Sequence, residues 1–467
     1  MKNHGMNPYL PSWEYVPDGE PHVFGKRVYV YGSHDRFAGY AFCQNDYVCW
    51  SAPVDDLTDW QYEGIIYTRA EAAHNEDGRQ CLYAPDVTCG PDGRYYLYYA
   101  LNETSAISVA VCDTPAGKYT YYGDVHYPDG TTLGARPGDE QQFDPGVLTE
   151  GKTTWLYPPM MPGRTGALCY RLASDMLTVE QIYPAVVPGA QTAKGTGFEG
   201  HAFFEASSIR KVGDRYYFIY SSELSHELCY AVSDSPCRGF VYGGTLVDNA
   251  DLGLCDTARY FTGNNHGSIE QINGRWYVFY HRHTNSSMFC RQGMVEPIEI
   301  LPDGRIPQVE ITTSGPNGAP LPAVELRELP AYAACNLYMT QPPPVNAEAG
   351  QNPFPYITQD GADVMPESES KPEAYICNLT PGTVVGFKYL NFQNVTKVSV
   401  KTRGMCYYGG FDVLLTADGE PIGTVSAARG NEWTWQTTEL AIPDGISAIY
   451  FRMKGYGTLS LAAAKFH

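Results

Sequence analysis

Helical periodicity is scarce in these 467 residues, and so is positive charge. Few stretches place apolar residues at three- and four-residue spacing, which argues against amphipathic helices. Thirty-two Lys and Arg stand against fifty-two Asp and Glu, giving a net charge of −20 and a pI near 4.9. Such a surface repels nucleic acid and anionic membranes and suits a neutral, soluble substrate. No apolar run is long enough to span a bilayer. The opening Met1-Lys2-Asn3-His4-Gly5-Met6-Asn7-Pro8 lacks the apolar stretch of a secretory leader. The thirteen cysteines are odd in number, scattered singly and free of any C-x-x-C pair, so zinc and iron–sulfur spacings are absent. They read as reduced core residues of a cytoplasmic protein. There is no Gly-x-Ser-x-Gly elbow on which Ser/His/Asp hydrolysis could stand.

What the chain does have is short aromatic runs punctuated by Gly and Pro, with 37 Tyr and 7 Trp. Aromatic faces pack strands, and they also line carbohydrate clefts. One pattern occurs five times: a polar residue, a short strand, a Gly turn and an aromatic strand. The fourth copy, Phe203-Phe204-Glu205-Ala206-Ser207-Ser208 through Tyr216-Tyr217-Phe218-Ile219-Tyr220, sets a carboxylate among apolar neighbours. Desolvation disfavours the charged form of such a group, which suits a general acid working near neutral pH. The leading residues Asp18, Asp86, Asp144, Glu205 and His266 lie 68, 58, 61 and 61 positions apart. A regular period of this size in an all-β sequence predicts propeller blades, here five. Residues at one place in every blade then converge on one axial funnel.

Thr312–Pro322 has linker composition, and the character of the chain changes after it. The organisation read from this is a five-bladed β-propeller over 1–322 and a β-sandwich of jelly-roll type over 323–467. The Pro-, Glu- and Ser-rich residues 341–371 are expected to form an irregular loop. Beyond them, 386–392, 397–402, 411–415 and 448–453 read as strands.

The blade openings Pro17-Asp18-Gly19-Glu20-Pro21, Tyr83-Ala84-Pro85-Asp86, Phe143-Asp144-Pro145, Phe204-Glu205-Ala206-Ser207-Ser208 and Tyr280-His281-Arg282 resemble glycoside hydrolase family 43, in the bifunctional β-xylosidase/α-L-arabinofuranosidase branch. The resemblance covers about residues 7–310. Residues 384–390 and 455–459 resemble a family 6 carbohydrate-binding module. The first likeness implies single-step inversion on plant cell-wall oligosaccharides, releasing xylose or arabinose, with no cofactor needed for the chemistry. By it, Glu205 is the general acid, a blade-one acid is the base, and Asp144 is the carboxylate that keeps Glu205 protonated and oriented. Aligning on Pro-Asp makes Asp18 the base; aligning on the residue before Pro21 makes it Glu20. The shorter Asp18 is favoured, because Glu20 would crowd the water. Asp86, Tyr83 and Arg282 are expected around the sugar. His266 is expected on the central axis, either as a hydrogen-bonded structural residue or beside water or a bound calcium ion.

A non-catalytic, lectin-like propeller is the competing reading, and three carboxylates in register argue against it. Sialidase Asp-boxes and the Trp-Met-Asn-Asp-Pro opening of fructosidases are absent. The second domain either binds sugar or shapes the pocket, and the shaping role is favoured. Xylosidase versus arabinofuranosidase preference and oligomeric state stay open.

Overall fold

A computed structural model describes residues 5–139, 141–158, 160–161, 165–340 and 354–467. Five antiparallel sheets arise in chain order as the blades of a propeller. Their innermost strands are Glu20–Phe24, Asp86–Cys89, Gly146–Glu150, Phe203–Val212 and Ser268–Ile272. Blades one to four have four strands each, and three strands of blade five are described. The hairpins are tight because Gly25 and Gly213 adopt φ of 64° and 60°, left-handed backbone that glycine enters at no steric cost.

Counting back from the hairpin turn sorts the axis-facing residues into rings. The last paired residues before the turn are Phe24, Gly90, Glu150, Val212 and Ile272. Six positions earlier stand Asp18, Ala84, Asp144, Ala206 and His266, the upper ring. Two residues deeper, as the period of a strand requires, stand Glu20, Asp86, Gly146, Ser208 and Ser268. Side-chain bonds tie this second ring: Ser208 Oγ lies 3.0 Å from Glu20 Oε2 and 2.7 Å from Ser268 Oγ. His22, Arg210 and Glu270 follow below.

The tyrosine load has a structural use. Tyr31, Tyr98 and Tyr157 lie directly opposite Glu20, Asp86 and Gly146 in their hairpins. Their hydroxyls donate to carbonyls of the next blade: Pro115 at 2.8 Å, Met176 at 2.7 Å and Pro236 at 2.6 Å. Tyr217 does the same to Gly304 at 2.8 Å. Each blade face is thus apolar in body and hydrogen-bonded at its rim.

On blade five, the side chain of Asn7 acts as a peptide group. Its Nδ2 donates to the Val295 carbonyl and its Oδ1 accepts from the Val295 N–H, both at 3.0 Å. The amino-terminal segment therefore lies along the edge of the last blade.

Residues from Leu321 onward build a ten-stranded sheet that curls around one apolar core, with Phe387, Phe411, Phe451 and Leu461 fully buried. Its long strands, Lys397–Leu414 and Gly445–Phe466, run together over much of their length. The sequence reading split the first into 397–402 and 411–415, since Met405-Cys406-Tyr407-Tyr408-Gly409-Gly410 has no apolar alternation, and found only 448–453 of the second. The register shifts there, between Tyr407 and Gly410, and a Cβ on Gly457 would meet the Met405 carbonyl at 1.9 Å. Of the loop expected at 341–371, residues 341–353 lie outside the described residues. The remainder is not all irregular, since Tyr356–Thr358 forms a strand paired with Tyr375–Leu379, and Asp363 beyond it reaches Phe37 and Asn45 of the propeller.

Candidate active site

The upper ring opens into a cavity of about 410 Å³ whose wall includes Asp18, Asp144, Glu205 and His266. Ala84 takes blade two's place in the ring. The backbone at these positions is unusual. Asp18, Asp144 and Ala206 all have positive φ, at 56°, 38° and 67°. Non-glycine residues hold such angles where the surrounding fold over-determines them, which happens most at functional sites. In blade four the register shifts on both sides of Glu205. That bulge places Glu205, one residue before the ring position, on the cavity wall.

Asp18 is 4% exposed and held from two sides. Arg291 Nη1 donates to its Oδ1 at 2.9 Å, and His281 Nδ1 stands 3.2 Å from the same oxygen. Burial works against the charge, but the Arg291 guanidinium, followed by the His281 bond and charge, outweighs it and keeps Asp18 well below the usual carboxylate range. Arg291 is itself fixed, donating from Nε and Nη2 to the two oxygens of buried Asp35 at 2.8 and 3.0 Å. Asp144 is in the opposite condition. Burial first, then the charges of Glu205 and Asp18, push it well above its ordinary value, with Arg291 opposing. Like-charged neighbours in a desolvated site favour a retained proton, and the Glu205 charge is the largest of those that raise Asp144.

His266 bridges the set. Its Nδ1 is 3.9 Å from Asp18 Oδ1 and 3.9 Å from Asp144 Oδ2, so those two oxygens stand no more than twice that apart. Burial, with His281 and Arg291 nearby, lowers its pKa to about 4 although Asp18 opposes, so the ring is neutral at pH 7. Tyr83, Phe143 and Phe42 supply aromatic wall, while Asn102, Gln141 and Asn264 supply amides. The arrangement offers one fixed carboxylate, one proton-holding carboxyl pair and an aromatic, amide-lined hollow.

Three residues expected at the site are elsewhere. Glu20, the rival base, lies one ring below, 1% exposed and bonded to Arg210 at 2.8 Å. Burial and then Asp86 raise its pKa to about 7, against Arg210. Asp86 is a second-ring residue, fully buried. Its Oδ1 is 2.7 Å from His22 Nε2, and its Oδ2 accepts the Val147 N–H at 2.8 Å. Burial raises it to about 6. It joins blades one, two and three and does not touch the cavity. Arg282 is 2% exposed and donates to the Ala334 carbonyl at 2.7 Å and to Gln292 Oε1 at 3.0 Å, so it fastens the propeller to the second domain. Arg291 was missed by the sequence reading, which assigned Phe289-Cys290-Arg291-Gln292 to outer strand. A lone arginine in an apolar stretch, needing a buried counter-ion, was the available signal.

Residues 15–306 match the sequence model of glycosyl hydrolases family 43. A xylosidase/arabinosidase of Thermoclostridium stercorarium is 53% identical over 473 residues, covering 99% of this chain and 98% of its own. Among solved structures, a Bacillus subtilis family 43 arabinoxylan arabinofuranohydrolase in complex with cellotetraose aligns over 99% of this chain and 97% of its own, at 20% identity and a TM-score of 0.52. A family 43 β-xylosidase/α-arabinofuranosidase from a compost microbial metagenome, in a calcium-free form with xylotriose, covers 66% of this chain and 98% of its own, at 23% identity and a TM-score of 0.52.

Proposed function

The chain belongs to glycosyl hydrolases family 43, and from that premise we propose that Asp18, Asp144 and Glu205 hydrolyse terminal β-D-xylosyl or α-L-arabinofuranosyl linkages in cell-wall oligosaccharides by a single inverting displacement. The protein is an exo-acting glycoside hydrolase. The observation that carries the assignment of roles is the opposed electrostatics of the two wall carboxyls. Asp18 is pinned in its ionised form by Arg291, as a base must be, whereas the Asp144–Glu205 pair retains a proton. Asp18 takes a proton from water as that water attacks the anomeric carbon. The sugar–oxygen bond breaks, and Glu205 gives its proton to the leaving oxygen. Asp144, beside Glu205, makes loss of that proton unfavourable until the leaving oxygen claims it. An inverting pair needs about 6.5–9.5 Å between carboxyls to admit the water. A cavity of about 410 Å³ is at the small end of ligand pockets, which supports action at a chain end.

Calcium beside His266 fits this chain poorly. Calcium takes about six to eight oxygens, and here the imidazole faces two carboxylates, one already engaged by a guanidinium. A reducing compartment is supported by thirteen unpaired thiols. The second domain's role in shaping the pocket is supported by Asp363. Its Oδ1 accepts the Phe37 N–H at 2.8 Å and its Oδ2 the Asn45 amide at 3.1 Å, bracing the blade-one loop that carries Phe42 to the cavity.

The test is hydrolysis of aryl β-D-xylopyranosides and α-L-arabinofuranosides by wild type and Glu205→Ala. Loss of about 10²–10⁴-fold on poor leaving groups, recovered on one needing no protonation, is the expected result. Equal loss on both kinds of leaving group would remove Glu205 from the acid's role. An inactive wild type would favour a different glycone.

A further inference from the structure

Below the reaction cavity the axial channel holds a second group of titratable side chains that the hydrolytic chemistry does not use. We propose that Glu20, His22 and Asp86 form a binding site for one divalent transition-metal ion, clamping blade one to blade two. One oxygen of Glu20, one nitrogen of His22 and one oxygen of Asp86 lie within 4.8 Å of one another. Ligands on one ion, each at about 2.0–2.2 Å, lie at most about 4.4 Å apart, so small side-chain adjustments complete the geometry.

Glu20 supplies an independent sign. Its Oε2 is taken by Ser208 Oγ at 3.0 Å and Arg210 Nη2 at 2.8 Å. Its Oε1 is buried and has no hydrogen-bond partner. A buried carboxylate oxygen without a donor is costly and calls for an explanation. The balance of charge points the same way. Glu20, Asp86 and Glu270 bring three carboxyls to this stretch of channel. Arg210 is the cation bonded to them, reaching Glu20 at 2.8 Å and Glu270 at 3.3 Å. A dication makes up the deficit.

The donor set selects the ion. Two carboxylate oxygens and one imidazole nitrogen suit Mn²⁺ or Zn²⁺, whereas Ca²⁺ prefers oxygen alone. His22 Nε2 and Asp86 Oδ1 face each other at 2.7 Å, within hydrogen-bond distance. The ion enters between them at Nε2, and the neutral imidazole keeps its one proton on Nδ1. His22, with 14% of its side chain exposed, gives the route in. Asp86 stays oriented by the Val147 N–H on its other oxygen.

The experiment uses the full-length protein, stripped with EDTA and titrated with Mn²⁺ at pH 8. Binding is followed by loss of the free-ion EPR signal, and thermal unfolding is recorded with and without the ion. Wild type is expected to take up one equivalent and to unfold several degrees higher with it. His22→Ala and Glu20→Gln are expected to bind about 100-fold more weakly and to lose the shift. No uptake by wild type overturns the proposal. Equal uptake by wild type and variants also overturns it, since that is an adventitious ion only, on an acidic surface. If Glu20→Gln does not fold, His22→Ala, at the partly exposed edge, carries the comparison alone.

Discussion

Replacing Arg291 by Met isolates what keeps Asp18 ionised. The guanidinium is 2.9 Å from Asp18 Oδ1 with both side chains 5% exposed or less, so solvent screens the pair weakly. An opposite charge this close depresses a carboxyl by about 1–3 pKa units, or about 1.4–4 kcal/mol. Without it, burial is opposed only by His281 and His266, and Asp18 rises. A base works ionised, so activity falls as pH drops through its pKa. Wild-type Asp18 sits below the usual carboxylate range and stays ionised across the working range. In Arg291→Met the acid limb of kcat/KM should therefore climb by about 1–3 units, with activity recovering as pH rises. Asp35 is also left buried without its partner, a loss of about 3–5 kcal/mol of stability. Folding is therefore checked by circular dichroism at every pH, and Arg291→Lys serves as a milder variant with a smaller shift. A loss of equal size from pH 5 to 8 in folded protein would refute the reasoning and make Arg291 a sugar contact. An unmoved acid limb with full activity would remove Asp18 from the base's role.

Asp144→Asn removes the carboxyl whose ionisation competes with that of Glu205. Glu205 then loses its proton more readily, and the alkaline limb of kcat/KM should move to lower pH; an unmoved limb would break the pairing of these two carboxyls. Arg282→Leu leaves the Ala334 carbonyl and Gln292 without their charged donor. It should lower the melting temperature by the equivalent of about 3 kcal/mol while kcat/KM of the folded protein holds. A selective rise in KM at unchanged melting temperature would restore a sugar-binding role. Asp363→Ala removes two hydrogen bonds of about 1 kcal/mol each. Freed of that brace, the Phe42 loop should raise KM several-fold on both aryl glycosides and leave kcat within twofold, and unaltered KM would confine Asp363 to stability.

The five hairpins and their Gly turns were legible because each repeats a local pattern that needs no tertiary information. The ring was misread in blade two for a reason the text itself contains. Asp18, Asp144 and His266 each precede the last paired residue of their strand by six positions, whereas Asp86 precedes Gly90 by four. Counting from acid to acid hid that difference, which sets Asp86 one ring deeper; counting back from the turn exposes it and gives Ala84 instead. The same count separates Asp18 from Glu20. Glu205 falls seven positions before Val212, an offset that only its bulge reconciles. Arg291 was beyond local reading, since its partners Asp18 and Asp35 lie more than 250 residues away. The length of the curled sheet's two principal strands was equally hidden, as bulges and glycines erase the alternation that marks a strand.

The amide of Asn7 makes the start of the polypeptide a latch on a hoop. Neighbouring blades from one to five are joined by tyrosine hydroxyls, and blade five closes on blade one through Arg291, which holds Asp18 and Asp35, while the Asn7 carboxamide fastens the outer edge of blade five. A nick placed between residues 5 and 13 would free that outer edge while Arg291 still holds blade five to Asp18 and Asp35 of blade one. The last residues are seated differently, with Ala463, Ala464 and Phe466 paired into the long strands of the curled sheet. The two ends of the described chain are thus seated on different sheets, one on the last blade and one in the curled sheet.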